Sequence, residues 1–142
     1  MGVFLDSGFF LGLLHKRDTN YDLCKTKFKK ISSGEFGLIF TSSYVISETA
    51  TLILLRSHNN PITLKAFWEL IYGKNRFIRI FESNPHINTI SWDIFMSHNQ
   101  KVKSKRDYLS FVDASNIAIC RENGISNILA VDGDFDGYLN RI

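Results

Sequence analysis

The chain is poor in the residues that interrupt or cross-link a protein. It has two prolines, two cysteines and nine glycines among 142 residues, which argues against fibrous, linker-rich and disulfide-stapled proteins. No window of about 18 residues is apolar and free of charge, so we expect no membrane span. The apolar run at 8–14 follows Asp6 and lacks the basic segment of a secretory signal. We therefore expect a cytoplasmic protein in which Cys24 and Cys120 are small core hydrophobes.

The residues that are present predict an α/β fold. Apolar residues make up 44% of the chain and the net charge is +3, which suits one globular domain at 1–142. Short apolar runs alternate with amphipathic segments, as in a central, mostly parallel sheet of four to five short strands flanked by helices. Strands are predicted at 3–5, 38–41, 77–81, 128–131 and 137–142, and helices from 7 and at 21–31, 44–56, 63–72, 88–99 and 112–122.

Four carboxylates are expected at the edge of the sheet where the parallel strands end. Asp6 ends the first strand, and Asp132 directly follows the fourth. Asp113 begins the helix that leads into that fourth strand, and Glu48 lies about one turn into the helix after the second. Ligands of such sheets collect at this edge. Carboxylates that a fold brings together repel one another, and a divalent cation relieves the repulsion, so we expect a metal site.

Three of these acids also have ordinary structural explanations. Asp6 could cap the helix that opens at Ser7. Ser110 and Asp113 are spaced as in a capping box, and Asp132 followed by glycine is a common turn dipeptide. These alternatives stay open for each acid taken alone.

Glu48 has no such explanation, because no cap or turn requires an acid inside a helix. Val45, Leu52 and Leu55 surround it at helical spacing and predict that Glu48 lies within a buried stripe. An ionised carboxylate there is costly unless it is paired or binds a metal. No Lys or Arg lies within three positions of Glu48, Asp6 or Asp132, which favours the metal.

Four segments carry a resemblance to a known family. FLDSGFF, SSYVISETATL, YLSFVDASNIAIC and ILAVDGDF resemble, in order and spacing, the four acidic motifs of the PIN domain. The resemblance spans essentially the whole chain, whose size is similar to that of the VapC-type toxins of toxin–antitoxin pairs. It implies a ribonuclease that depends on Mg²⁺ or Mn²⁺ and whose acidic quartet is Asp6, Glu48, Asp113 and Asp132. Glu48 would bind metal or orient the attacking water.

The match with the family is incomplete near the fourth acid. Ala130 stands where many relatives have Thr or Ser, and Asp134 is a second candidate for the fourth carboxylate. We expect Asp132 to be the main ligand and Asp134 an outer or second-metal ligand. Ser7 and Phe135 match the family's Ser/Thr after the first acid and its aromatic after the fourth. Ser7 could contact the substrate or metal-bound water, or it could be structural.

A basic loop precedes the helix that carries Asp113. It could bind phosphates of an RNA substrate, or it could be a solvated loop. Its basic residues are Lys101, Lys103, Lys105 and Arg106.

The toxin interpretation also implies partners. These are an RNA substrate, a cognate antitoxin whose tail covers the acidic groove, and a second copy in a homodimer. Trp68, Tyr72 and Trp92 are then expected in the core or the dimer interface rather than as base-stacking platforms.

Rival functions stay open. The chain could be a catalytically silent PIN-like module that binds RNA or a partner, or an rRNA-processing nuclease. A receiver-like signalling domain is disfavoured, because that fold needs adjacent acids after the first strand and a lysine after its last. In this chain a single acid, Asp6, follows the first strand, and Ala130 and Val131 stand where the lysine would be.

Overall fold

A parallel sheet lies at the centre of the protein in a computed structural model, which describes residues 2–142. Its strands are β1 (Gly2–Leu5), β2 (Leu38–Ser42), β3 (Ile78–Phe81), β4 (Asn127–Leu129) and β5 (Asn140–Arg141). They are ordered β3-β2-β1-β4-β5, and every neighbouring pair is parallel. The predicted fold class is confirmed, and the predicted edge strand exists as a two-residue β5.

Helices cover the sheet on both faces. Within residues 2–142 they are α1 (Ser7–Leu14), α2 (Tyr21–Ser32), α3 (Ser43–Arg56), α4 (Pro61–Tyr72), α5 (Pro85–Lys101) and α6 (Phe111–Glu122), with a 3-10 turn at Lys105–Asp107. α4 and α5 begin two and three residues earlier than predicted. Each starts with a proline at its first turn behind a capping asparagine, Asn60 or Asn84, whose side chain accepts a backbone N–H bond. Proline is well tolerated there, since that N–H has no partner within a helix.

β4 is shorter than predicted, and this changes where the fourth acid lies. The last residue pair between β1 and β4 is Leu5 with Leu129, because β1 itself ends there. Ala130 and Val131 have left the sheet, and Asp132 lies in a bend three residues beyond the strand. The prediction that Asp132 directly follows the strand is therefore wrong.

The core is richest around α6. All seven residues from Ala114 to Cys120 are buried, so this helix is enclosed on every side rather than along one stripe. Each large apolar side chain buried in this way contributes about 1.5–3 kcal/mol. Cys24 and Cys120 are both buried and unpaired, as expected of core thiols.

Some apolar residues lie elsewhere than predicted. Leu55 is 64% exposed, and the buried stripe of α3 is Val45, Thr49 and Ile53. Trp68 and Trp92 are more than half exposed, so their placement in the core is wrong, whereas their role in a dimer interface stays a prediction. No helix in residues 2–142 is long and apolar enough to span a bilayer.

Candidate active site

Asp6 directly follows β1, where the backbone is still held by the sheet. Its N–H donates to the carbonyl oxygen of Leu129 at 3.2 Å, and the residue is only 2% exposed. Asp6 occupies the N-cap position of α1, but its side chain makes no capping hydrogen bond, so capping alone does not explain this acid. A buried carboxylate that does not cap a helix needs another role.

Burial is the main reason that the pKa of Asp6 is raised, from 3.8 to about 7. The negative charges of Asp132 and Glu48 raise it further, whereas the nearby N–H groups of Ser7 and Gly8 favour the charged form. Asp6 therefore lies within the electrostatic reach of two other members of the predicted quartet.

Asn116 is a site residue that the sequence analysis missed. It lies on α6, is fully buried, and its Nδ2 donates to Asp6 Oδ1 at 3.1 Å. Its own Oδ1 is buried and has no hydrogen-bond partner. The signal that could have found it is an amide three residues after Asp113, on a helix that is otherwise buried among apolar side chains.

The Glu48 side chain accepts a hydrogen bond from Ser7, which belongs to the first acidic motif. Ser7 Oγ donates to Glu48 Oε2 at 2.6 Å across 41 positions of sequence. Glu48 is half-buried at the margin of the buried stripe of α3 rather than within it, which corrects the predicted placement. Ser7 thus holds the Glu48 carboxylate beside the end of β1.

Asp113 lies in the first turn of α6, with its N–H donating to Ser110 Oγ at 3.0 Å. This is half of the predicted capping box. Burial raises the pKa of Asp113 to about 8, and the charges of Asp6, Asp134 and Glu48 add to the rise. The Ser110 hydroxyl opposes it. The capping bond uses only the backbone of Asp113, so its carboxylate is available to the site.

The fourth motif forms a tight exposed loop. Asp134 N–H donates to Asp132 Oδ1 at 3.3 Å, so Asp132 closes the turn on its own chain. Burial and the neighbouring Asp132 raise the pKa of Asp134, and His98 lowers it. The loop reaches the start of α1 because Gly8 has no side chain: a Cβ there would lie 2.7 Å from Val131 Cγ2.

The structure thus brings the predicted acids to one edge of the sheet. The charges of Asp132 and Glu48 act on Asp6, those of Asp6, Asp134 and Glu48 act on Asp113, and that of Asp132 acts on Asp134. Within residues 2–142, no three Asp, Glu, His or Cys side chains enclose a ready cation position. The donor set nevertheless fits a hard cation, since it consists of carboxylate oxygens that repel one another.

A groove of about 510 Å³ opens beside this edge between α3 and the start of α6. Glu48 lies in its wall, together with Tyr44, Leu52 and Val112. The predicted basic loop flanks α6, and all four of its basic residues are exposed; they are Lys101, Lys103, Lys105 and Arg106. They do not line the groove.

Known proteins resemble this chain over nearly its whole length. Residues 3–138 match the model of the PIN domain. The 23S rRNA-specific endonuclease VapC20 from two strains of Mycobacterium tuberculosis is 27% identical over 133 residues, which cover 94% of this chain and 91% of VapC20.

A solved structure shares the fold. The crystal structure of Mycobacterium tuberculosis VapC20, described as a sarcin-ricin loop cleaving toxin, has a TM-score of 0.78 and 24% identity, covering 95% of this chain and 93% of that one. Since the family model matches residues 3–138 of 142, the chain belongs to the PIN domain family.

Proposed function

We propose that this protein is an endoribonuclease that depends on Mg²⁺ or Mn²⁺ and cleaves RNA at Asp6, Glu48, Asp113 and Asp132. The observation that carries the proposal is a pair of acids close to each other, the buried Asp6 and the half-buried Asp113. Their pKa values are raised to about 7 and about 8 by burial and by neighbouring carboxylates. A fold retains such mutually repelling groups where a function requires them.

A divalent cation fits these residues better than a basic side chain does. Asp6, Asp113 and Asp132 would hold it, with Asp134 as an outer or second-metal ligand and Glu48 either binding it or orienting the attacking water. When bound, such a cation supplies positive charge that stabilises the developing charge on a scissile phosphodiester.

The other residues of the site position these carboxylates. Asn116 fixes Asp6 Oδ1 through its hydrogen bond. Ser7 donates to Glu48 Oε2, which supports a positioning role; contact of Ser7 with metal-bound water stays a prediction. Ordering carboxylates in advance lowers the entropy cost of binding.

The first RNA to test is ribosomal. VapC20 of Mycobacterium tuberculosis is named as a 23S rRNA-specific endonuclease, and 27% identity over most of both chains makes the same class of target a reasonable start. The exposed basic loop at 101–106 would hold flanking phosphates.

The same likeness suggests partners and a cellular context. We propose that the protein is the cytoplasmic toxin of a toxin–antitoxin pair, that it forms a homodimer, and that the antitoxin covers the acidic edge. Trp68, Tyr72 and Trp92 are exposed by 59%, 37% and 53%, which suits burial against a partner. Co-expression with its antitoxin should relieve growth inhibition. Expression that is harmless both alone and with the neighbouring gene product would contradict the toxin role.

Cleavage of purified ribosomes and total RNA tests the enzymatic proposal. We expect products with Mg²⁺ or Mn²⁺ and none with EDTA, because the carboxylates alone cannot stabilise negative charge on phosphate. RNA cleavage that survives exhaustive chelation would rule out the metal. RNA binding without cleavage under any of these conditions would favour the silent module instead.

A further inference from the structure

A second cavity lies at the end of α3 that is remote from Glu48. Its volume is about 650 Å³, and it opens between the ends of α1 and α3 and the start of α4. No carboxylate lines it, whereas five basic residues do; they are His15, Lys16, Arg17, Arg56 and His58. We call this the basic cavity. Nothing in the proposed cleavage chemistry uses it.

No side chain of the basic cavity forms an ion pair with an acidic residue in the described part of the chain. The ion pairs within residues 2–142 lie elsewhere, at Glu122 and Asp136. Asp18 follows the cavity in sequence and forms no ion pair in residues 2–142; its Oδ1 accepts the N–H of Asn20 at 2.8 Å. Cations gathered without acidic partners repel one another, and a bound anion relieves that repulsion.

Helix α4 adds to the positive potential. Its first turn contributes Ile62 and Thr63 to the wall of the cavity, next to the capping Asn60. The Ile62 N–H already donates to the capping Asn60, but the aligned peptide dipoles still leave partial positive charge at the amino end of the helix, and this charge favours anions nearby. Side chains from two loops and one helix end therefore present charge of the same sign.

Helix α3 connects the basic cavity to the acidic edge. Glu48, Leu52 and Arg56 are spaced by four residues, so they lie along one stripe of this helix. Glu48 and Leu52 line the groove at the acidic edge, and Arg56 lines the basic cavity. At 1.5 Å per residue, Arg56 lies about 12 Å beyond Glu48 along the helix axis.

We propose that the basic cavity binds backbone phosphates of an RNA strand that leaves the acidic edge along α3. This inference rests on the proposed ribonuclease function and adds a second substrate contact, remote from the cleaved bond. A strand fits better than a free anion, because the cavity is much larger than one phosphate and shares a helix face with the groove. The contact would be with phosphates and not with bases, since its charged groups are exposed cations.

The salt dependence of RNA binding tests this contact. The double variant Arg17→Ala/Arg56→Ala is compared with an otherwise identical protein, both carrying Asp113→Asn to prevent cleavage. Binding of a labelled single-stranded RNA is followed by fluorescence anisotropy at several salt concentrations. We expect weaker binding and a slope of log affinity against log salt that is smaller by about 1.4, since each lost phosphate contact removes about 0.7.

A matched pair of lysines provides the control. Lys29→Ala/Lys30→Ala removes the same charge from the exposed last turn of α2, which does not line the basic cavity. We expect its salt slope to match that of the parent protein. Thermal melting checks that both double variants are folded, and Arg17→Gln/Arg56→Gln replaces the alanine pair if that pair is unstable.

Two results would overturn the inference while leaving the proposed function intact. One is an unchanged salt slope in the arginine variants of a protein whose wild type cleaves RNA. The other is an equal loss in the lysine control, which would indicate a general effect of net charge. Failure of the wild type to bind or to cleave any RNA would overturn the proposed function and, with it, this contact.

Discussion

The hydrogen bond between Asn116 and Asp6 constrains the site at the scale of single residues. Asn116→Leu removes the donor but nearly keeps the volume, so Asp6 Oδ1 loses its partner. A hydrogen bond to a charged group contributes about 1.5–3 kcal/mol. We therefore expect the Mn²⁺ concentration that half-saturates the thermal shift to rise by about tenfold or more, since 1.4 kcal/mol is tenfold.

Thr49→Val is the matched control for that substitution. Thr49 Oγ1 is also buried and has no partner, and valine has the same shape. This change should leave the Mn²⁺ requirement as it is and raise the free energy of unfolding by about 1 kcal/mol, because an unpaired hydroxyl leaves the core. If Asn116→Leu behaves in the same way as Thr49→Val, then Asn116 is only a core amide.

Asp113→Asn separates charge from helix capping. The capping bond uses the backbone N–H of Asp113, so the fold should persist, and the free energy of unfolding should hold or rise as repulsion is relieved. RNA cleavage should fall by orders of magnitude, measured as initial rate at saturating Mg²⁺. Asp107→Asn, in the exposed 3-10 turn, should cleave normally. An unfolded Asp113→Asn protein beside an active Asp6→Asn protein would mean that Asp113 serves only structure.

At the scale of elements, the loop after β4 determines which acid completes the quartet. Asp132 is exposed and closes the turn through Asp134 N–H, so its substitution by alanine removes both a charge and a structural bond. Asp132→Asn keeps the accepting Oδ1 and removes only the charge. We expect both Asp132 variants to abolish cleavage and Asp134→Ala to raise the Mg²⁺ concentration required. An inactive Asp134→Ala with a nearly normal Asp132→Asn would reverse the assignment.

Sequence patterns predicted the type and order of the secondary-structure elements better than the residues at which the elements end. The order of strands and helices follows from alternating apolar runs, whereas the end of β4 depends on the length of its neighbour β1, which no local pattern contains. Leu55 illustrates a similar limit. Helical spacing predicts that Leu55 lies near the apolar stripe of α3. The packing of α3 against its neighbours decides which stripe is buried, and the buried stripe passes through Thr49.

The site was predictable where chain order alone locates a residue. The placement of Asp6, Asp113 and Glu48 at one edge of the sheet was predictable from their positions at strand ends and helix starts. Asn116 and the bond from Ser7 to Glu48 were not predictable in this way, because each joins segments far apart in sequence. Such pairs depend on how helices are rotated against the sheet, and this is a property of the whole packing arrangement.

At the scale of the whole molecule, the raised pKa values of Asp6 and Asp113 make metal-free stability depend on pH. The native values are about 7 and about 8, against 3.8 ordinarily. At a pH between the ordinary value of 3.8 and these raised values, Asp6 and Asp113 keep in the native state protons that they have released in the unfolded chain. The free energy of unfolding should therefore fall as pH rises from about 4 to about 8. Melting temperatures in EDTA measure this fall.

Two comparisons isolate the acids from other titrating groups. Asp113→Asn should flatten the decline of melting temperature with pH, because one of the two raised groups is gone. Added Mn²⁺ should raise the melting temperature most at high pH, where the carboxylates are ionised. A decline of the same steepness in wild type and Asp113→Asn would show that Asp113 does not contribute.

The two buried thiols provide the chain with internal reporters of local opening. Cys24 lies on α2 and Cys120 on α6, and burial raises their pKa values to about 11 and about 12. Neither can be alkylated until its own helix moves away from the core, since the reactive species is the thiolate. Because α6 is enclosed on all sides and α2 on one, Cys24 should be labelled well before Cys120 in native conditions. Alkylation rates followed by peptide mass spectrometry would then give separate opening free energies for the periphery and for the helix that carries Asp113.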